Sequence, residues 1–122
     1  MLVVEDDPLL RELYRTAFRD AGYTVVAVDD GIAALRYTEQ HRPDVVILDL
    51  ALPRLSGRDV YRELRARRDT RDIPVVVVSG TDVSDLDPAA FASLLPKPVT
   101  PDELISVVQR SLRLGPTSAG PV

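Results

Sequence analysis

The residues able to do chemistry sit at the ends of apolar runs. Val45-Val46-Ile47-Leu48 is uninterrupted and ends on Asp49. Such a run reads as a strand buried on both faces of a parallel sheet, which needs no acid at its end. Burying an unpaired carboxylate is costly, so Asp49 belongs where the strand emerges, with something to use it. The pattern repeats along the chain. Leu2-Val3-Val4 ends at Glu5, Asp6 and Asp7, Val75 to Val78 ends at Ser79, and Leu94-Leu95 is stopped by Pro96 and Lys97. Lys97 is the only lysine among the 15 basic residues, the rest being arginine. One compact ammonium in an arginine-using chain hints at a site that needs a point charge rather than a planar fork.

Clustered carboxylates repel one another and raise each other's pKa. A hard divalent cation relieves this, and an all-oxygen donor set with open water positions suits Mg²⁺. Lys97 can neutralise an anionic group and the Ser79 hydroxyl can donate to one. A cation, an ammonium and a hydroxyl around one carboxylate are what phosphoryl transfer onto that carboxylate requires. The only histidine, His41, lies at a helix end beside Arg42-Pro43 and reads as a surface residue. A phosphohistidine donor would therefore come from another protein.

For these residues to meet, the chain must bring several strand ends to one edge. Asp7-Pro8 starts a helix, with Asp as N-cap and Pro in the first turn. Leu10, Leu13, Tyr14, Ala17, Phe18 and Ala21 then fall on one helical stripe, ended by Gly22. Thr24 to Val28 reads as a second strand, and Asp29-Asp30-Gly31 opens a helix carrying Ala34, Leu35 and Thr38 inward. After Asp49 comes a loop to Gly57, then a helix from about Arg58 to Arg67 with Val60, Tyr61 and Leu64 facing the core. Between Asp82 and Ala92 large apolar residues are scarce, leaving room for a short helix near Pro88 to Ala92. Thr100-Pro101-Asp102-Glu103 is a capping box opening a last helix with Leu104, Val107, Val108, Ser111 and Leu112 inward. Gly115 ends it, and residues 115–122 read as a flexible tail behind a single domain of residues 1–114. Strand and helix alternate, which calls for a parallel sheet with helices on both faces and a site outside the carboxyl ends of its strands.

Composition narrows the partners. At 122 residues and 45% hydrophobic content, one ordinary core is expected. The net charge of −4 argues against direct nucleic-acid binding. Arg58, Arg62, Arg65, Arg67 and Arg68 share a helix with Glu63 and read as a solvated face. No apolar stretch is long enough to span a membrane. The absence of cysteine fits a reducing, cytoplasmic setting. A nucleotide or flavin binder of the same fold class would want a Gly- or Ser/Thr-rich loop after the first strand, where Glu5-Asp6-Asp7-Pro8 stands instead.

The chain to about Leu114 resembles the receiver domain of two-component response regulators. The resemblance rests on Leu2 to Asp7, on Asp49-Leu50-Ala51-Leu52-Pro53 with Gly57, on Val76-Val77-Val78-Ser79-Gly80, and on Lys97-Pro98. It implies a flavodoxin-like doubly wound sheet of five parallel strands in the order 2-1-3-4-5. It also implies that Asp49 is the phosphoacceptor and that Glu5, Asp6, Asp49 and the Ala51 backbone carbonyl hold Mg²⁺. Ser79 becomes the switch hydroxyl and Lys97 the phosphoryl contact, with a sensor histidine kinase or histidine phosphotransfer protein as donor and an unidentified effector downstream. Two departures stand out. Leu94 occupies the place of the family's switch aromatic, and the segment from Ser79 to Lys97 is several residues shorter than usual, so the fourth helix is shortened. The family's common partner surface uses that helix, which leaves open a second function, an interaction module that works without phosphorylation.

Overall fold

The sheet's hydrophobic pattern sorts the buried side chains into two cores, one on each face. In the computed structural model, which describes residues 1–80 and 83–114, strand and helix alternate along the chain. The order is β1 (Leu2–Val4), α1 (Pro8–Asp20), β2 (Val26–Val28), α2 (Gly31–Gln40), β3 (Val46–Asp49), α3 (Gly57–Ala66), β4 (Val75–Ser79), a 3₁₀ turn (Pro88–Ala90), β5 (Ser93–Pro96) and α4 (Pro101–Leu114). All strand pairs are parallel, in the order β2-β1-β3-β4-β5. The apolar runs at β1, β3 and β4 are buried along their whole length, as strands covered on both faces must be.

Alternation along each strand sends neighbours to opposite cores. Leu2, Val4, Val46, Leu48, Val75 and Val77 pack with Ala34 of α2 and with Val60 and Leu64 of α3. Val3, Ile47, Val76 and Val78 pack on the other side with Tyr14 and Phe18 of α1 and with Leu104 and Val108 of α4. The helix starts are chemically specified. Asp7 Oδ1 accepts from the amides of Leu9 and Leu10 at 2.9 and 3.3 Å, and Thr100 Oγ1 accepts from Glu103 at 3.1 Å. Gly22, with φ of 101°, lets the chain leave α1.

Several boundaries move from their sequence positions. β2 begins at Val26 rather than Thr24, and β5 extends from Leu94-Leu95 to Ser93–Pro96. Leu13 is 46% exposed instead of joining the core, and Ala21 is exposed too, because the buried stripe of α1 is narrow, with Tyr14 and Phe18 fully covered and Leu10 partly so. The shortened fourth helix is reduced to the 3₁₀ turn, since its few residues include Pro88 and offer no apolar stripe to bury. In its place Val83, Leu86 and Phe91 cover the β4–β5 side, only partly buried, with Phe91 against Tyr61 at a ring distance of 4.4 Å. The proposed tail at residues 115–122 lies outside the described residues.

Candidate functional site

β1, β3, β4 and β5 run parallel, so their carboxyl ends open along one edge of the sheet. Register sets Val4 beside Leu48, Asp49 beside Val78 and Ser79 beside Pro96. Each sequence candidate thus follows from the place where its apolar run stops. Glu5 and Asp49 are only 2% and 4% exposed, while Asp6 faces solvent.

One ammonium joins the two buried acids. Lys97 Nζ donates to Glu5 Oε1 at 2.8 Å and to Asp49 Oδ2 at 3.1 Å. The other oxygens are also held. Ala51 N donates to Asp49 Oδ1 at 3.0 Å and Asp7 N to Glu5 Oε2 at 3.2 Å. Burial pushes the Glu5 carboxyl up to about 7, Lys97 opposes that rise, and the adjacent Asp49 adds to it. For Lys97, burial alone would lower the ammonium, but its bonds to Glu5 and Asp49 outweigh burial and hold it above its ordinary value. A single cation therefore leaves the pair of acids under-compensated. Carboxylate oxygens of Glu5, Asp6 and Asp49 lie within 4.8 Å of one another, a hard-oxygen set that fits Mg²⁺.

The structure brings Glu5, Asp6, Asp49 and Lys97 together and sets the Ala51 backbone against Asp49. Ser79 is buried at the end of β4, where its carbonyl accepts from Lys97 N at 2.8 Å. Leu94 sits farther back, paired with Val77 and half-buried against the α2–α3 core, away from the carboxylates. His41 is exposed at the end of α2, stacked on Tyr37.

Sequence reasoning passed over Arg11, Asp30 and Arg54. Arg11 Nη1 donates to the carbonyls of Glu5 and Asp6 at 3.1 and 3.3 Å and so pins the acidic turn to α1. Arg54 binds Asp30 at the start of α2. Both contacts join residues whose types are common on surfaces, and only the fold juxtaposes them. Gly57 had a legible signal. A Cβ there would lie 2.3 Å from the Asp49 carbonyl oxygen and 2.4 Å from Leu50 Cα, so only glycine lets α3 start this close to the site.

Fold and site together define a class, a doubly wound parallel α/β domain with an acid-lined cleft where the strand order reverses. A family model described as the response regulator receiver domain matches residues 1–109, and the chain belongs to that family. The response regulator MprA of Mycobacterium sp. (strain KMS) is 38% identical over 126 aligned positions, covering 99% of this chain and 54% of that protein. The chain thus spans about half the length of the curated relatives it matches. Among solved structures, the receiver domain of the sensor histidine kinase PA1611 from Pseudomonas aeruginosa PAO1 superimposes with a TM-score of 0.84 at 32% identity, covering 92% of this chain and 95% of that one. It holds a magnesium ion in its active-site cleft. The response regulator TrrA of Thermotoga maritima, in complex with Mg²⁺ and BeF, gives 0.80 at 30% identity over 90% of this chain and 96% of that one.

Proposed function

We propose that this receiver takes a phosphoryl group onto Asp49 from a phosphohistidine on a sensor histidine kinase or histidine phosphotransfer protein. The observation that carries the reading is the meeting of Glu5, Asp6, Asp49 and Lys97 at one strand edge. A carboxylate oxygen of Asp49 attacks phosphorus, the P–N bond breaks, and the imidazole leaves with the bonding pair. Glu5, Asp6, Asp49 and the Ala51 carbonyl would hold Mg²⁺, which supplies positive charge against the phosphoryl oxygens. The Ala51 amide orients the Asp49 carboxylate through Oδ1, leaving Oδ2, now held by Lys97, to turn to phosphorus. Lys97 neutralises another oxygen of the group, and the Ser79 hydroxyl turns toward it and carries the change to β4. No base is required, since the Asp49 carboxylate attacks directly and the imidazole leaves as the neutral ring, its other nitrogen being protonated on the donor protein.

Among the described residues no helix is long and apolar enough to cross a membrane, and the charge of −4 suits a protein partner better than nucleic acid. Both fit a cytoplasmic signalling domain with a protein effector. Incubation with acetyl phosphate and Mg²⁺, followed by intact-mass measurement, tests the reading. Wild type gains one phosphoryl group and Asp49→Asn gains none. Equal labelling of the two would remove Asp49 from the role, and no labelling of either would favour a partner module that works without phosphorylation.

A further inference from the structure

The loop between β3 and α3 offers the Ala51 backbone to the site, and its geometry is strained at one residue. Arg54 has φ of 66°, the one described non-glycine with positive φ. Leu55 N donates to the Pro53 carbonyl at 2.7 Å, so the turn around Arg54 is a three-residue γ-turn of the rarer, strained hand. Glycine would hold such a conformation at no steric cost, and a side chain there calls for a reason. The structure supplies one. Arg54 Nη2 lies 2.7 Å from Asp30 Oδ2, and the Asp30 side chain is only 5% exposed. Its other oxygen caps α2 by accepting from Ala33 N at 2.8 Å. The same contact region is tight, since a Cβ on Gly31 would lie 2.4 Å from the Leu55 carbonyl oxygen. At its far end the loop closes through Gly57 N donating to the Leu50 carbonyl at 2.9 Å.

We propose that Arg54 is a positioning residue for the phosphoacceptor loop: its ion pair with Asp30 holds the strained turn against the start of α2 and so fixes where Ala51 meets the acidic cleft. This rests on the phosphoacceptor reading above. Pro53 is exposed and restricts only its own φ, and the loop's internal hydrogen bonds do not tie it to α2. The Arg54–Asp30 pair does. A pair between two exposed side chains would contribute little. Here one partner is buried and serves as a helix cap, so losing Arg54 leaves the Asp30 charge with only the start of α2 to hold it.

The test uses Arg54→Ala, Arg54→Gly, Arg54→Lys, Asp30→Asn and the double variant Arg54→Ala/Asp30→Asn, each titrated with Mg²⁺ by calorimetry well below its melting temperature. Hydrogen exchange at the Leu55 amide is measured without metal. Arg54→Ala and Asp30→Asn each weaken Mg²⁺ binding by about tenfold, as expected for a group that orients a ligand. The double variant is no worse than the weaker single one, because both remove the same pair. Arg54→Lys recovers part of the loss. Arg54→Gly separates positioning from stability: it relieves the positive φ, yet binds Mg²⁺ as weakly as Arg54→Ala. Wild-type Mg²⁺ affinity in Arg54→Ala and Asp30→Asn, or in Arg54→Gly, would overturn the proposal. If wild type itself binds no Mg²⁺ and takes no phosphoryl group, the phosphoacceptor reading fails instead, and Leu55 exchange then decides the latch. Faster exchange in Arg54→Ala supports it and unchanged exchange refutes it.

Discussion

Glu5 makes the stability of the metal-free domain depend on pH in an unusual direction. Folding raises its carboxyl from 4.5 to about 7, burial being the main cause. Between those values the folded chain holds a proton that the unfolded chain has released. Stability contributed by that proton is complete below pH 4.5 and is lost as pH rises through about 7. At about 1.4 kcal/mol per pH unit, the gap amounts to about 3 kcal/mol. In Glu5→Gln the group cannot ionise, so the cost never appears. Urea unfolding in a chelating buffer at several pH values is the assay. The two proteins match in stability near pH 4.5, and Glu5→Gln becomes the more stable by up to about 3 kcal/mol by pH 8. Residues away from the Glu5–Asp49–Lys97 cluster are untouched by the substitution, so the difference reports on that cluster. Parallel stability curves, or a wild type that gains on the variant as pH rises, would refute the reasoning. The same proton competes with metal, so Mg²⁺ affinity rises with pH through about 7 and binding releases protons below it.

Other substitutions separate packing from signalling. Gly57→Ala drives a methyl into the Asp49 and Leu50 backbone and costs about 3 kcal/mol or more, whereas Gly22→Ala meets open space, pays only for its positive φ, and costs about 1 kcal/mol; urea midpoints distinguish them. Leu9 is 82% exposed in the first turn after the acidic pair, on the side where the proposed phosphodonor would approach. Leu9→Asp therefore leaves stability within about 0.5 kcal/mol and labelling by acetyl phosphate unchanged, but slows transfer from a phosphohistidine protein. Leu94 is half-buried already, so any change in its packing adds only a fraction of a kcal/mol at about 25 cal/mol per Å². Amide shifts with beryllofluoride accordingly concentrate in Leu50–Gly57 and at Ser79–Gly80, and sedimentation shows no phosphate-dependent dimer.

The apolar runs made the sheet legible. Four consecutive buried positions before Asp49 fixed β3 as a central strand, and the same logic found β1 and β4. Once those runs are parallel, Glu5, Asp49, Ser79 and Lys97 converge with no further information. The helix caps at Asp7 and Thr100 were legible because capping is local, one side chain serving an amide two or three residues on. Leu13 was misassigned because helical spacing marks a stripe without saying how wide the sheet beneath it is. Arg54 and Asp30 were not legible as a pair. Their contact depends on the turn of one loop and the approach of a neighbouring helix, and neither leaves a periodic trace.

The substitution of a three-residue 3₁₀ turn for a helix between β4 and β5 has a practical consequence. Covering side chains there, Val83, Leu86 and Phe91, are only partly buried, and all lie against the α2–α3 core. Lengthening a connection of this kind costs little, because closure entropy grows only with the logarithm of loop length. The joint between Asp87 and Ala92 is thus a natural insertion point for a fluorescent protein or a split-reporter half. Ser79 stands at the start of the same connection, so under the proposed phosphoryl transfer such a graft would serve as an optical reporter of the Asp49 site.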